Sequence, residues 1–330
     1  MPSDRDPGGA APVYARPDLD GLAGPIDGLP YVVERESGRP GPHVVLSALV
    51  HGNELCGAHA LCRLIEADLR PARGHLSLAF VNVAAYQSFD PGQPFASRYL
   101  DEDLNRVWRD DVLDLAIRSR EHARAKALRP LFARADALLD LHSTASESPP
   151  MMLCGRTAKA RRLARALGFP AEVVADAGHA AGPRLIEFGA FADDNAAPVA
   201  LLVECGQHFD PASRDVALES ALRFLRALGV LDAWPAWAKP PSAECAQRLL
   251  DVTHPITIGS DRFVFVRPLR ALERISAAGT LIAYDGDVPI TTPYDDCVAV
   301  MPNLSPRRGE TAVRLACSVP FGHDRAREST

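Results

Sequence analysis

The stretch that most restricts how this chain can fold is Pro42 to Leu61, PHVVLSALVHGNELCGAHAL. Its largely apolar, β-branched run, Val44 to Val50, is too short to cross a membrane and has the length of a buried strand. The run stops at His51-Gly52-Asn53-Glu54, after which Leu55, Ala58, His59, Leu61, Cys62 and the pair Leu64-Ile65 recur at helical spacing. A histidine and a carboxylate three residues apart therefore sit where a strand hands over to a helix. In open α/β sheets, ligand sites form at that end of the strands. Imidazole and carboxylate both suit zinc, and Gly52 lets the backbone turn tightly between them. Taken alone, the motif is as readily a polar turn or a helix cap.

The chain beyond this stretch repeats the alternation. Strand-like runs are Tyr31–Glu36, His43–Val50, His75–Val83, Ala135–His142, Met151–Cys154, Ala171–Asp176 and Val199–Glu204. Helical patterns cover Glu54–Leu69, Val112–Ala133, Thr157–Leu167 and Pro211–Leu228, the last opening on an Asp-Pro start signal. This predicts an α/β fold, a mixed sheet flanked by helices. Asp232–Glu244 reads as a linker stiffened by Pro235, Pro240 and Pro241. Short runs broken by Gly, Asp, Asn and Pro follow: Ile256–Ile258, Phe263–Val266, Thr280–Tyr284, Val288–Thr292, Cys297–Met301 and Thr311–Ala316. They predict a smaller C-terminal all-β domain. The expected organisation is a loose arm over 1–30, a catalytic α/β domain over 31–240 and a β domain over 241–330.

Composition narrows the function classes. The net charge is −6, with acids and bases interspersed, so no basic stripe points to nucleic acid. No segment reaches eighteen apolar residues, so no membrane span is expected. The N-terminal residues lack a basic region followed by an apolar core, so no signal peptide is expected. The seven cysteines include no CxxC pair, which suits a reduced, cytoplasmic protein. The oligomeric state is left open, a homo-oligomer included.

Three further places strengthen the histidine–glutamate turn. In ALLDLHSTAS an apolar run ends in Asp140-Leu141-His142; residues two apart on a strand share a face, so a carboxylate lies beside the histidine, as zinc-bound imidazoles require. Five consecutive apolar residues, Val199 to Val203, precede Glu204, and a carboxylate ending a core strand needs a cation, a proton or a chemical task. The long polar connection from Asn82 to Asp111 carries SRYLDEDLNRVW, in which Arg98, Asn105 and Arg106 could hold an acidic substrate. The plainer alternatives are a hydrogen-bonded strand-end histidine, a buried ion pair for Glu204, and arginines paired to Asp101, Glu102 or Asp103.

HGNE, DLNR, DLH and VECG, in that order, resemble the aspartoacylase and succinylglutamate desuccinylase family within the zinc carboxypeptidase-like enzymes. The resemblance runs from about Tyr31 to Ala316 and includes the C-terminal GTLIAYDGDVPITTP. It implies a zinc-dependent hydrolase that cleaves the amide of a small N-acyl amino acid. His51, Glu54 and His142 would hold one zinc ion per chain. Glu204 would be the general base and Arg98 would polarise the carbonyl. Arg98, Asn105 and Arg106 would bind the substrate, the last two clamping a carboxylate. Arg184 and Tyr294 are candidates for the acyl pocket, without a close match to the family pattern. A zinc carboxypeptidase acting on peptides, and a non-catalytic binding protein on the same fold, are the competing readings.

Overall fold

The computed structural model describes residues 14–26, 29–243 and 245–322. In chain order the strands are β1 (Pro25–Ile26), β2 (Leu29–Pro30), β3 (Val32–Glu36), β4 (His43–Ala48), β5 (His75–Phe80), β6 (Ala137–Thr144), β7 (Met151–Leu153), β8 (Glu172–Ala175), β9 (Val199–Gln207), β10 (Arg248–Thr257), β11 (Phe263–Phe265), β12 (Glu273–Ile275), β13 (Leu281–Asp285), β14 (Val288–Thr291), β15 (Cys297–Val300) and β16 (Thr311–Val319). The helices are α1 (Leu55–Glu66), α2 (Val83–Gln87), α3 (Asp110–Leu113), α4 (Arg120–Ala133), α5 (Ala158–Leu167) and α6 (Ala212–Ala227). An 11-stranded mixed sheet, ordered β12-β15-β16-β10-β8-β7-β9-β6-β4-β5-β3, forms the frame.

Its centre is parallel: β4 runs beside β5 and β6, and β6 beside β9. These strands are apolar on both faces because helices cover both. One layer of the core joins Leu46, Leu61, Leu139 and Leu201 to Leu222 and Phe224 of α6; the other joins Val45, Leu138 and Leu202 to Trp108, Leu128 and Phe132. The carboxyl ends of β4, β6 and β9 therefore open side by side at one edge of the frame.

The C-terminal region does not stand apart from this sheet. β10 pairs in parallel with β8, Arg248 opposite Glu172, and β16, β15 and β12 continue the sheet antiparallel beyond it. Of its described strands, β11, β13 and β14 form a separate three-stranded sheet. The sheet thus crosses the Asp232–Glu244 connection at which the sequence places its boundary.

One expected helix changes. The single helix expected over Val112–Ala133 is broken between α3 and α4, where Leu115 and Ile117 are 54% and 64% exposed. Ser119 restarts it by accepting the His122 N–H, an N-cap bond. Of the arm expected over 1–30, residues 1–13, 27 and 28 lie outside the described residues; the Tyr14 hydroxyl donates to the His208 carbonyl at 2.7 Å and Leu19 is buried. Among the described residues, no helix is long and apolar enough to cross a membrane.

Candidate active site

At the end of β4 the chain leaves the sheet through Leu49, held in the left-handed region at φ 60°, a costly conformation for a residue with a side chain. Two residues later comes His51, and Glu54 immediately precedes α1. Gly52 is needed between them for space: a Cβ there would lie 2.4 Å from the Ala85 carbonyl carbon and 2.5 Å from the Ser97 oxygen. Its N–H is donated to the Arg98 carbonyl at 3.0 Å, which ties this turn to the long polar connection.

His142 comes from β6 and stands opposite Glu204 of β9 in the strand register. The ligating atoms of His51, Glu54 and His142 all lie within 4.8 Å of one another, and all three residues are buried. Glu54 Oε1 is 2.7 Å from His51 Nδ1, and its Oε2 is 2.8 Å from His142 Nδ1. Each imidazole has a carboxylate on its far nitrogen: Asp140 at 2.8 Å from His142 Nε2, and Asp103 at 3.0 Å from His51 Nε2. Asp140 is fixed in turn by the Ser47 hydroxyl at 2.6 Å. These three residues could hold a metal ion, since imidazole nitrogen and carboxylate oxygen are the donors of open zinc sites. Burial works against the Glu54 charge, yet the two imidazoles hold its carboxyl well below the usual range. Burial likewise opposes the charge on His142, and Asp140 and Glu54 more than offset it, raising the imidazole well above its ordinary value.

Glu204 is 6% exposed, and its Oε2 has no hydrogen-bond partner. Burial pushes its carboxyl up to about 8, reinforced by the Glu54 charge and opposed by His142, Arg98 and Arg184. A protonatable carboxylate thus faces the three-residue cluster with an oxygen to spare.

Arg98, Asp103, Asn105 and Arg106 line the same cleft of about 1530 Å³. Arg98 reaches Glu54 Oε1 at 3.4 Å, Asp103 Oδ2 at 3.3 Å and His51 Nε2 at 2.9 Å. Asn105 accepts the Leu185 N–H at 2.8 Å through its side-chain oxygen, which leaves only its NH2 to serve a ligand. Arg106 donates to the Asn105 carbonyl at 2.7 Å and stands 3.7 Å from Asp103. Burial lowers its pKa, and Arg98, Arg184 and Arg314 add to the effect. The loop is pinned from beneath by Glu121, a fully buried side chain on the first turn of α4. Its carboxylate accepts the N–H groups of Leu100 at 2.7 Å, Asp101 at 3.1 Å and Glu102 at 3.4 Å.

All seven residues singled out in the sequence therefore converge. Of the two acyl-pocket candidates, Arg184 lines the same cleft, bound to Asp176 and Glu187, and Tyr294 lies against Thr253 in the C-terminal core. Four contributors were not foreseen. Asp103 opens the DLNR motif, where by sequence it reads as an ion-pair partner. Glu121 carries no signal, because SREHARAK reads as a solvated helix face. Arg314 does leave a trace, a lone charge inside the apolar run TAVRLA. His208, buried in the cleft wall with Nδ1 2.8 Å from Ser143 Oγ, has a pKa lowered to about 4 by burial.

A mixed sheet with a His–Glu–His cluster at its carboxyl edge defines a class of α/β proteins built around a candidate metal centre. Residues 40–228, more than half of the chain, match the model of the succinylglutamate desuccinylase/aspartoacylase catalytic domain, and the chain belongs to that family. Succinylglutamate desuccinylase from Vibrio cholerae superposes with a TM-score of 0.66 at 19% identity, over 88% of this chain and 86% of that one. A succinylglutamate desuccinylase/aspartoacylase from Rhodobacter sphaeroides gives 0.63 at 19%, over 94% and 100%. The product-bound ectoine utilization protein EutE (DoeB) from Ruegeria pomeroyi gives 0.60 at 16%, over 88% of both chains. These likenesses establish the shared fold. No curated protein matches the chain by sequence.

Proposed function

We propose that this protein is a zinc-dependent hydrolase that cleaves the amide bond of a small N-acyl amino acid. One observation carries the reading: Glu204, with an unpartnered oxygen and a carboxyl raised to about 8, stands across one strand rung from His142 in the His–Glu–His cluster. Membership of a family named for two deacylations supports it. His51, Glu54 and His142 would hold one ion per chain, and that ion supplies Lewis acidity when bound.

The remaining work falls to the chain. Glu204 takes a proton from the water that attacks the amide carbon, and returns it to the departing nitrogen. Arg98, beside the cluster, directs its guanidinium at the carbonyl oxygen and stabilises the charge that develops there. Arg106 and the Asn105 NH2 bind the amino-acid carboxylate and fix the amide in line with Glu204. Asp140 fixes the His142 ring through its far nitrogen, and Asp103 together with Arg98 positions the His51 ring. The products are a carboxylic acid and an amino acid.

The cleft, about 1530 Å³, exceeds the roughly 300–1,000 Å³ usual for small ligands, which favours peptides as the second reading. Amine release from acetyl, formyl and succinyl amino acids, run beside a peptide panel with the zinc-loaded protein, tests both. Release from the acyl amino acids and none from peptides is expected. Cleavage of peptides alone makes the protein a carboxypeptidase, and no release from any member removes the hydrolase reading.

A further inference from the structure

Asp140 positions the His142 ring and Asp103 the His51 ring, whereas Glu204 keeps an oxygen, Oε2, with no hydrogen-bond partner. Where that oxygen points depends on the backbone that carries it, and this backbone is irregular. His142 stands opposite Glu204, but the next rung pairs Thr144 with Gln207, so Cys205 and Gly206 of β9 together face Ser143 of β6. Two residues against one make a β-bulge, which bends a strand and re-aims the side chain beside it. Gly206 takes φ 116°, a conformation rarely open to L side chains, although a Cβ there would meet nothing nearer than 3.8 Å. On the other flank, the pairing of β9 with β7 ends at Glu204 opposite Met151, and Pro150 before it has no N–H to offer. Among the described strands, β9 beyond Glu204 therefore pairs with β6 alone.

Hydrogen bonds close over the bulge from both strands. Ser143 Oγ lies 2.8 Å from His208 Nδ1, His208 donates its N–H to the Thr144 carbonyl at 2.9 Å, and the Thr144 hydroxyl donates to the Gly206 carbonyl at 3.1 Å. His208 is itself anchored: Tyr14 donates to its carbonyl at 2.7 Å, and its ring packs against Phe95 and Phe209. Ser143 and His208 are both buried, so water does not readily replace a bond lost between them.

We infer that the Ser143–His208 pair is the positioning element of Glu204: it clasps the bulge from both strands and fixes the aim of the carboxylate at the His51–Glu54–His142 cluster. The consequence for turnover rests on the deacylase reading; the placement of Glu204 does not. Both residues line the cleft, but this role is exerted through Glu204 and not on the substrate.

The probes are Ser143→Ala, His208→Phe, which keeps a ring beside Phe95 and Phe209, and His208→Asn, whose amide offers a donor and an acceptor near the position of Nδ1. Crystal structures of the zinc-loaded proteins should show the Glu204 carboxylate displaced by about 1 Å in the first two variants and in place in the third; a misplacement of that size is enough to lower kcat about tenfold to a hundredfold. That fall, with KM and zinc content unchanged, is expected for Ser143→Ala and His208→Phe in amine release from acyl amino acids, and His208→Asn should recover most of it. In a Glu204→Gln background, Ser143→Ala should change the residual rate less than about twofold, because the residue it serves has lost its function. A raised KM at constant kcat, or full additivity with Glu204→Gln, makes the pair a substrate contact and overturns the inference. Loss of zinc makes it a support of Glu54 and overturns it too. Glu204 unmoved in both Ser143→Ala and His208→Phe overturns it whatever the rates. Glu204 displaced, with no acyl amino acid hydrolysed by the wild type, removes the deacylase reading and leaves the inference standing. Should His208→Phe melt early, Ser143→Ala, which deletes a single oxygen, decides alone.

Discussion

Replacing Glu204 by Gln keeps the side chain's shape and removes its proton chemistry. The carboxyl is 6% exposed and lifted from 4.5 to about 8. A shift of that size corresponds to an ionisation cost of about 4–5 kcal/mol in the metal-free protein. Between 4.5 and about 8 the native state keeps a proton that the unfolded chain has released. Its contribution to stability therefore falls as pH rises through that window and is level above it. Gln has no such dependence, so metal-free Glu204→Gln should gain on the wild type steadily from pH 5 to pH 8 in thermal melts. Zinc content should be unchanged, since none of the three cluster residues is altered. Turnover of the zinc-loaded variant should fall by about 10²–10⁴-fold, the usual worth of a positioned acid–base group. The assay is amine release on the same preparation used for the melts. Undiminished turnover with zinc retained would refute the assignment of Glu204 as the base. A variant that loses stability at every pH would show instead that Glu204 is half of a structural ion pair.

Other perturbations reach different parts of the site. Arg106→Ala should raise KM for carboxylate-bearing substrates by an amount worth roughly 2–5 kcal/mol, with Lys restoring only part because a point charge does not copy the planar fork; an unchanged kcat/KM counts against the clamp. Asp140→Asn should weaken zinc binding by about 10–100-fold in chelator competition, because the carboxylate that orients His142 is lost; equal affinity would make Asp140 irrelevant to the metal. Glu121→Ala should speed hydrogen exchange at the Leu100, Asp101 and Glu102 amides and raise KM, each lost bond to the buried carboxylate costing about 1–3 kcal/mol. Unaltered exchange at those amides would show that the loop is held by other contacts.

The parts of this site that were legible in the sequence are those where local pattern and chemistry coincide. HGNE and DLH interrupt apolar strands at their carboxyl ends, and an imidazole or carboxylate there has little purpose in a core. Glu204 stood out for the same reason. Asp103, Glu121 and Arg314 were hidden because their meaning depends on partners apart in sequence: Glu121 serves amides about twenty residues earlier, and Arg314 of β16 meets Asp176, at the end of β8, across β10. The union of the C-terminal strands with the central sheet was hidden likewise, since it turns on β10 pairing with β8 across a separation of 76 residues, Arg248 against Glu172. The break before Ser119 was missed because Leu115 and Ile117 prolong the apolar stretch but have no core to face.

The central claim is that His51, Glu54 and His142 form one metal site on which hydrolysis depends. Stepwise return of zinc to chelator-treated protein, with bound metal and amine release followed together, addresses it most directly. Activity should climb in proportion to metal and stop at one ion per chain, while His51→Ala and His142→Ala should neither retain the ion nor recover activity. Full metal in both variants, or hydrolysis undiminished after the metal is removed, would contradict it.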